Sequence, residues 1–418
     1  MGSDTLFKLG INGLGRIGKL CLWNQVGQRY FSEIVVNMGR PVGRSLTDLA
    51  DFIERDSTYG ALHQYLYGCY ADRVIEEVND AAGTMRINGV LVRFLKETRN
   101  PKELPWGKLG VDLVVDATGK FLDPAAPADD PKGSCRGHLA AGAKKVIVSA
   151  PFKIKDVNSP LPPDAVMTVL GINDHVFDPT RHSVISNASC TTTCLAYMMK
   201  PLLDYFGARK MLSASMATVH AVTGGQEVLD RLPDAGATDL RKNRGVFNNI
   251  ILTSTGAADA LAYIIPEMKS IGFIAESVRI PTVTGSLVML VATLQDESGA
   301  DPISRELINE IYKRAAAKDA KGFLQYTESQ NTSMDIVGRP AGAAIIEGHE
   351  TRTRTAGISL DLKNVMGIPK DALKAMPDTV IDLPVTQAVV FGWYDNEMGS
   401  YTNMLCHWTV EIHKRMKG

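Results

Sequence analysis

The segment LFKLGINGLGRIGKL, residues 6–20, places three glycines in the spacing G-x-G-x-x-G directly after a short apolar run. Gly13 allows a tight turn, Gly15 lets backbone amides approach a pyrophosphate, and Gly18 lets the following helix pack on the strand. The amino terminus of that helix also attracts the anion. In the order strand, glycine loop and helix, the motif predicts a dinucleotide-binding domain at the beginning of the chain.

Alternating strand-like and helix-like segments continue from this loop through the first half of the sequence. Such alternation is typical of parallel strands joined by crossover helices. The predicted strands are Leu6–Asn12, Glu33–Asn37, Asp112–Ala117 and Lys145–Ser149, and the predicted helices are Ile17–Tyr30 and Ser45–Arg55. The first half therefore favours a Rossmann-type α/β domain.

The second half has a different pattern, which predicts a mostly antiparallel sheet with helices on one face. We expect residues 1–188, completed by a final helix over 396–418, to form the NAD(P)-binding domain and 189–395 to form an α+β catalytic domain. Residues 123–133 and 338–376 have the composition of surface insertions. The strand-like runs are Met211–Ala221, Glu276–Pro281, Leu287–Leu294 and Val385–Trp393.

Length and composition restrict the class of protein. The chain has 418 residues, enough for two or three domains, and 45 Lys plus Arg against 46 Asp plus Glu give a formal charge of -1. This balance disfavours general binding to nucleic acid or anionic membranes. The six cysteines form neither zinc-type pairs nor a dense disulfide framework, and neither a signal-like start nor a long apolar span is recognisable. We therefore expect a cytoplasmic protein without a metal or membrane partner.

The second predicted strand ends without the acidic residue that usually binds the ribose hydroxyls of NAD. Asn37 is followed by Met38, Gly39 and Arg40. A methionine cannot accept the ribose hydrogen bond, whereas Arg40 or Arg44 could meet a 2′-phosphate. The residues leave NAD and NADP open as cofactors.

A second chemical signal is the run Asn187-Ala188-Ser189-Cys190-Thr191-Thr192-Thr193-Cys194, which follows a strand-like segment and precedes an apolar helical one. A cysteine in the first helical turn lies among unpaired amide donors, which favour the thiolate. Cys190 is therefore the candidate nucleophile, and Cys194, one turn later, is expected in the core. His220 ends another strand-like run and is the candidate base.

Nine motifs in this order resemble the glyceraldehyde-3-phosphate dehydrogenase family. The resemblance covers nearly the whole chain apart from the two insertions. The motifs are INGLGRIG (11–18), DSTYG (56–60), ATG (117–119), SAP (149–151), SNASCTT (186–192), TVHAVT (218–223), TSTGAA (253–258), VRIPT (278–282) and GWYDNEMG (392–399).

The resemblance implies a phosphorylating aldehyde dehydrogenase that acts as a homotetramer on a phosphorylated aldehyde and inorganic phosphate. Cys190 would form a thioester, His220 would act as base, and phosphate would release an acyl phosphate. The implied substrate and phosphate positions are Ser189, Thr191, Thr223, Thr255, Gly256 and Arg279. The implied cofactor positions are Gly13, Gly15, Arg16, Ile17, Asn37, Met38, Thr118, Gly119, Ser149, Tyr394 and Asn396.

Four positions depart from the family pattern, and three other functions remain open. Thr193 stands where Asn is usual, Met38 where an acid is usual, Tyr59 where His is usual, and Met398 where an aromatic residue is usual. An erythrose-4-phosphate dehydrogenase would keep the same thiol and histidine. A dehydrogenase-like protein that binds RNA or a partner is the second alternative. A cysteine hydrolase is the third, although it leaves the glycine loop unexplained.

Overall fold

The computed structural model describes residues 7–156, 159–296 and 302–418, so that Leu6 of the first predicted strand lies outside the described residues. The first half contains β1 Lys8–Asn12, α1 Arg16–Gln28, β2 Glu33–Asn37, α2 Leu46–Glu54, β3 Arg55–Asp56, β4 Gly60–Ala61, α3 Leu62–Tyr67, β5 Ile75–Asn79, β6 Thr84–Ile87, β7 Val90–Leu95, α4 Trp106–Leu109, β8 Leu113–Asp116, α5 Cys135–Ala140, β9 Lys145–Val148, β10 Ala165–Met167 and β11 Val184–Ser186.

The second half contains α6 Cys190–Phe206, β12 Met211–His220, β13 Ile251–Thr253, α7 Ala257–Ile264, β14 Gly272–Arg279, β15 Ser286–Gln295, α8 Arg305–Lys318, β16 Leu324–Thr327, α9 Ser333–Ile336, β17 Ala344–Glu347, β18 Arg352–Asp361, α10 Lys370–Ala375, β19 Val380–Tyr394 and α11 Asn403–Lys417. Short 3₁₀ turns occur at Pro101–Glu103, Asp174–Val176, Leu240–Asn243, Val246–Asn248, Pro266–Ser270, Gly348–Glu350 and Leu362–Asn364.

In the described residues, the first half forms a nine-stranded sheet in the order β10-β11-β9-β8-β1-β2-β7-β6-β5. Strands β10 to β7 along this order are parallel, and β6 and β5 are antiparallel at one edge. The chain moves from β1 to β2 on one side and reaches β8 on the other. In open α/β sheets ligands bind at the carboxyl ends of strands where the order reverses. The carboxyl ends of β1 and β8 are therefore the expected cofactor site. The predicted Rossmann-type architecture is confirmed.

Across its described strands, the second half forms an eight-stranded sheet in the order β13-β14-β12-β15-β19-β17-β16, with β18 paired to β19. The pairs β12–β14 and β16–β17 are parallel, and the other pairs are antiparallel. Helix α6 packs on several of these strands and contacts both α7 and α8. The predicted mostly antiparallel sheet with helices on one face is therefore confirmed.

The final helix begins later than predicted. Residues Met398–Thr402 form a π-helical turn, and α11 starts at Asn403 rather than at 396. The reason is the carboxylate of Asp395, which accepts hydrogen bonds from the backbone N–H groups of Glu397 at 3.0 Å and Met398 at 3.2 Å. Helix α11 then packs against α1, where the Gln25 side chain donates to its backbone, and it thereby returns to the dinucleotide sheet.

The prediction of one surface insertion over 338–376 was partly wrong. Strand β17 is fully buried and lies in the catalytic sheet, where it pairs with β16 and β19. Its surroundings are rich in Gly and Ala, which hides the short apolar run Ala344–Glu347 from composition-based reasoning. Strand β18 is largely exposed and pairs with β19 over ten residues, so it does extend from the surface as expected.

Candidate active site

The turn between β11 and α6 positions the candidate nucleophile. Ala188 has a positive φ of 53°, and Ser189 caps the helix by accepting a hydrogen bond from the backbone N–H of Thr192 at 3.1 Å. Cys190 is the first helical residue, and its Sγ lies 3.4 Å from Nε2 of His220. The cap and the apolar face that begins at the fully buried Cys194 fix the start of α6. The structure therefore brings together the two predicted catalytic side chains.

The hydrogen bonds of His220 assign its neutral tautomer. Its Nδ1 lies 2.7 Å from the carbonyl oxygen of Ala221, which can only accept, so Nδ1 carries the proton. Nε2 consequently presents a lone pair to the Cys190 thiol. The turn that supplies this carbonyl is held by a hydrogen bond from the Ala221 N–H to Ser286 Oγ at 3.0 Å. This geometry suits an imidazole that takes a proton from sulfur.

Burial shifts both members of the pair towards their neutral forms. It raises the pKa of the Cys190 thiol, with Arg279 and the N–H of Thr191 acting in the opposite direction. Burial, together with Arg279, lowers the pKa of His220 to about 3. The helix start alone therefore does not make Cys190 a thiolate. Proton transfer from Sγ to Nε2 would create opposite charges 3.4 Å apart, whose attraction in a buried site offsets much of the desolvation.

Arg279 places a cation beside this pair. It is the last residue of β14 and lies next to His220 in the parallel β12–β14 register. One guanidinium nitrogen donates to the Ala221 carbonyl at 3.2 Å, while the buried Nε has no hydrogen-bond partner among the described residues. Burial lowers the pKa of Arg279, which remains charged at neutral pH. An unpartnered donor next to a nucleophile is suited to bind an oxyanion.

Tyr394 lies behind the pair rather than open to solvent. Its side chain is fully buried, and its hydroxyl contacts Thr191 Oγ1 at 2.9 Å and Thr218 Oγ1 at 2.7 Å. Its ring packs edge-on against the His220 imidazole with centroids 5.9 Å apart. The tyrosine thus connects the first turn of α6 to β12. Tyr394 would therefore influence a bound cofactor through Thr191, Thr218 and His220.

The remaining predicted phosphate residues line the adjoining loops. Thr223 Oγ1 donates to Gln226 Oε1 at 2.8 Å, and Thr255 Oγ1 accepts from the N–H of Ala257 at 3.2 Å. Gly256 is the exposed N-cap of α7. The described hydrogen bonds do not join these three predicted residues to Cys190 or His220.

The glycine loop has the geometry that the motif requires. Gly13 has a φ of +97°, and its N–H donates to the Asn37 carbonyl at 2.8 Å. A Cβ on Gly18 would overlap the Gly13 carbonyl oxygen, so the close approach of α1 to the loop requires glycine there. Gly15 caps α1 without a side-chain hydrogen bond and leaves open space beside it. Ile17 anchors the first turn by packing on the core.

A buried polar network at the ends of the strands beside the glycine loop was not predicted from the sequence. Asp116 accepts from His138 Nε2 at 3.0 Å, Asn12 Nδ2 at 2.8 Å and Thr118 Oγ1 at 2.6 Å. Asn12 in turn accepts from Asn37 Nδ2 at 2.8 Å. Burial raises the pKa of Asp116, but these hydrogen bonds more than compensate and leave it below its usual value. The network fixes the ends of β1, β2 and β8 relative to one another.

Arg16 is held by acidic groups in this structure. Its guanidinium contacts the Asp56 carboxylate and lies 2.6 Å from Glu397 Oε2, and Lys19 approaches Asp56 at 3.2 Å. Burial raises the pKa of Asp56, but Arg16 and neighbouring donors bring it down to about 2. This cluster joins α1 to β3 and to the segment before α11, a contact made by residues far apart in sequence.

The other predicted cofactor residues lie at the carboxyl edge of the sheet or in the turn before α11. Gly119 has a φ of +66°, and the N–H of Ser149 donates to the Asp116 carbonyl at 2.9 Å. Asn396 Oδ1 accepts from Ser286 Oγ at 2.9 Å and from Thr284 Oγ1 at 3.2 Å. Ser286 and Thr284, which the sequence did not single out, therefore orient the Asn396 amide.

A cavity of about 500 Å³ opens at the ends of β1, β2 and β8. Several of its residues were not predicted, because they come from segments far from the glycine motif. Its lining consists of Asn12, Gly13, Asn37, Met38, Gly39, Arg40, Arg99, Asn100, Thr118, Lys120, Phe121, Pro131 and Lys132.

A larger cavity of about 810 Å³ lies between α6 and α8 and shares no residue with the thiol–imidazole pair or the glycine loop. Within residues 7–156, 159–296 and 302–418, no group of three or more His, Cys, Asp or Glu residues is placed to hold a metal ion. In the same ranges, no helix is both long and apolar enough to cross a membrane.

Two family models and several relatives match the chain. Residues 7–124 match the glyceraldehyde 3-phosphate dehydrogenase NAD binding domain, and residues 189–362 match the C-terminal domain of the same family. The chain belongs to the glyceraldehyde-3-phosphate dehydrogenase family. The match of the first domain identifies NAD as the cofactor of the glycine loop.

The relatives of this family member extend over nearly its whole length. Glyceraldehyde-3-phosphate dehydrogenase of Streptomyces coelicolor is 36% identical over 410 residues, which cover 98% of this chain and 99% of the relative. Glyceraldehyde-3-phosphate dehydrogenase 2 of Streptomyces avermitilis is 34% identical over 409 residues, with coverages of 98% and 99%. Glyceraldehyde-3-phosphate dehydrogenase 1 of Bacillus subtilis is 34% identical over 411 residues, with 98% of each chain covered.

Proposed function

We propose that this protein oxidises glyceraldehyde 3-phosphate with NAD and inorganic phosphate through a thioester on Cys190. The observation that carries the proposal is the 3.4 Å contact between the Cys190 thiol and the unprotonated Nε2 of His220. Arg279 lies beside this pair with a buried donor that has no partner in the described residues. The relatives that match over nearly the whole chain bear the name of this enzyme.

Each group in the site has a defined role in the proposed reaction. His220 Nε2 takes the thiol proton, and sulfur attacks the aldehyde carbon to give a hemithioacetal. NAD supplies the hydride acceptor when bound. His220 returns the thiol proton to the alkoxide oxygen, which completes the hemithioacetal and leaves Nε2 neutral. As hydride leaves carbon for the bound cofactor, Nε2 takes the hydroxyl proton, and a thioester remains on Cys190. Inorganic phosphate attacks the thioester, the acyl phosphate departs, and the thiolate regains the proton from His220.

The residues at the glycine loop fit the dinucleotide. Gly15 is the N-cap of α1, and its missing side chain leaves the backbone N–H groups of the first turn accessible to a pyrophosphate. We assign to cofactor binding the other predicted positions near the carboxyl ends of the parallel strands, namely Gly13, Arg16, Ile17, Asn37, Met38, Thr118, Gly119 and Ser149. With the Asn396 Oδ1 occupied by Ser286 and Thr284, its Nδ2 is left to orient the nicotinamide carboxamide.

Arg279 is assigned to a phosphate of the substrate or to the attacking phosphate, because its guanidinium lies beside the catalytic pair and has a buried donor without a partner in the described residues. Ser189, Thr191, Thr223, Thr255 and Gly256 would supply hydroxyl and amide donors around it. We assign residues 1–188, completed by 396–418, to the cofactor domain and 189–395 to the catalytic domain. This division follows the two large sheets.

The test is the absorbance of reduced cofactor formed from glyceraldehyde 3-phosphate and NAD, with and without inorganic phosphate. We expect sustained, phosphate-dependent reduction by the wild-type protein and none by Cys190→Ser, which should still bind NAD. Cys194→Ala is the matched control, because Cys194 is buried one helical turn away from the pair. Reduction that is independent of phosphate, or that survives Cys190→Ser, would contradict the thioester route.

We also propose a homotetramer in the cytoplasm. Leu287, Met289 and Val291 alternate with the buried Val288, Leu290 and Ala292 on β15, so they face away from the helix-covered core. Leu229, Leu232 and Ile250 are more than 70% exposed in the preceding loop region. Both surfaces offer apolar area for subunit contacts. All six cysteines are free, which suits a reducing compartment.

A further inference from the structure

The cavity at the ends of β1, β2 and β8 is lined by four cationic side chains. Arg40, Arg99, Lys120 and Lys132 contribute to its wall, and no Asp or Glu occurs among the described residues that line it. These four exposed side chains give the cavity of about 500 Å³ a positive potential that attracts an anion. The position of this cavity, beside Gly13 and Asn37, corresponds to the adenosine half of a dinucleotide in this fold.

None of these cations is neutralised by a carboxylate in the part of the chain that the structure describes. The contact that fixes one of them is to the backbone, since Arg99 Nε donates to the Gly39 carbonyl at 3.2 Å. This bond ties the segment after β7 to the turn after β2. The guanidinium of Arg99 is therefore held at the cavity while its other N–H groups stay available to a ligand.

Met38 shapes the same wall without adding a charge. It follows Asn37, whose side-chain amide is already committed to Asn12 Oδ1 at 2.8 Å and to the Thr98 carbonyl at 3.1 Å. The half-buried methionine offers no strong acceptor to a ribose hydroxyl. It also offers no negative charge that would repel a phosphate at that position.

The insertion at 123–133 supplies one of the cations from a fixed position. Asp130 Oδ1 accepts from the N–H of Lys132 at 2.8 Å, which sets the turn. Gly133 follows with a φ of +83°, and a Cβ there would lie 2.7 Å from the ring of Phe121, which itself lines the cavity. The insertion therefore packs closely on the cavity wall and contributes Lys132 to its lining. It was expected as a surface segment, and in the structure it also forms part of this wall.

We propose that this cavity accepts a 2′-phosphate on the adenosine ribose, so that the protein uses NADP as well as NAD, and that the 123–133 insertion contributes to this specificity through Lys132. The inference rests on the proposed placement of the cofactor at this edge of the sheet. Arg40, Arg99, Lys120 and Lys132 surround the phosphate, and Met38 takes the position from which a carboxylate would exclude it.

The first experiment measures binding without turnover, by calorimetry with adenosine 2′,5′-bisphosphate and adenosine 5′-monophosphate. We expect the wild-type protein to bind the bisphosphate at least fivefold more tightly. Lys132→Gln and Arg40→Gln should each weaken the bisphosphate by about threefold to fivefold, as expected for one exposed charge pair, and leave the monophosphate unchanged. Lys108→Gln is the matched control, an exposed lysine of the same half that does not line the cavity.

Equal binding of the two nucleotides by the wild-type protein would overturn the 2′-phosphate site. A loss for Lys108→Gln equal to that for Lys132→Gln would show only a general charge effect and would remove the insertion from the argument. Because neither nucleotide is oxidised or reduced, this result is independent of aldehyde oxidation. Failure to oxidise glyceraldehyde 3-phosphate would contradict the proposed reaction and leave the binding result standing.

A second measurement compares kcat/KM for NADP and NAD in the wild-type protein and in Met38→Asp. We expect the carboxylate to repel the 2′-phosphate and accept from the ribose hydroxyl, which shifts the ratio towards NAD by tenfold or more. An unchanged ratio in a variant that folds and binds NAD would overturn the role of Met38.

Discussion

At the scale of single residues, the role of His220 as the base can be tested separately from the role of Cys190 as the nucleophile. His220→Asn removes the lone pair that faces Sγ at 3.4 Å. We expect kcat to fall by roughly a hundredfold to ten-thousandfold, the usual contribution of a general base, with the Kd for NAD unchanged. Steady-state rates and NAD titration of the same preparation test this. A loss of less than tenfold would remove His220 from the proposed proton transfers.

The same histidine gives a pH dependence with a defined sign. Its pKa is lowered by burial to about 3 in the folded protein, against 6.5 in the unfolded chain. Between those values the unfolded state binds a proton that the folded state does not, so this histidine destabilises the protein as pH falls below 6.5. The wild type should lose about 1.4 kcal/mol per pH unit relative to His220→Asn in that window. Urea unfolding of both proteins at pH 7 and pH 5 measures the difference, and parallel pH profiles would contradict the buried neutral state.

Residue roles that depend on one local signal could be predicted from the sequence, and those that depend on distant partners could not. Gly13, Gly18 and Cys190 each belong to a short motif with its own physical requirement. The hydrogen bond between Asn12 and Asp116 joins residues 104 positions apart, and that between Thr191 and Tyr394 joins residues 203 apart. Such pairings are set by strand order, which a local pattern does not contain.

At the scale of secondary-structure elements, the cap of α6 connects stability to catalysis. Ser189→Ala removes the acceptor for the Thr192 N–H at 3.1 Å, and loss of an N-cap costs ~1 kcal/mol. We expect a lower free energy of unfolding and a lower kcat, because the first turn that holds Cys190 frays. Chemical unfolding and initial rates provide the two readouts.

Ser304→Ala is the matched control for that prediction, since Ser304 caps α8 by accepting from the Leu307 N–H at 3.1 Å. It should lower stability by a similar amount and leave kcat unchanged, because α8 does not carry a residue of the catalytic pair. Equal losses of kcat in both variants would mean that the effect of Ser189→Ala is general destabilisation.

The ends of helices and strands could be predicted where a clear hydrophobic pattern or a capping side chain sets them. Strand Glu33–Asn37 has the predicted bounds, and Ser45 caps α2 by accepting from the N–H of Thr47. The start of α11 was missed, because Asp395 and a π-helical turn replace the regular helical hydrogen bonds there. Strand β17 was also missed, since its four residues are too short to show a period within a Gly- and Ala-rich segment.

At the scale of the whole molecule, the uncovered face of the catalytic sheet gives the last prediction. Met289 is half-buried, pairs with Phe391 across β15 and β19, and points away from the helix-covered core. If this face joins subunits, Met289→Glu places a charge in an apolar interface, whereas in a monomer it would place that charge in water. We therefore expect the wild type to have four times the chain mass of 45.3 kDa and the variant to dissociate with its helical content intact.

Light scattering coupled to size exclusion, with circular dichroism of the same samples, measures mass and folding together. Ser329→Glu serves as the control, because Ser329 is exposed and lies after β16, away from this face. It should keep the wild-type mass. A wild-type protein of a single chain mass, or a Met289→Glu variant that keeps four chains, would contradict an interface on this face. The resemblance of the sequence implies a tetramer, but the sequence could not place an interface on this face, because the side of β15 that meets the helices is fixed only by the packing of α6 on the sheet.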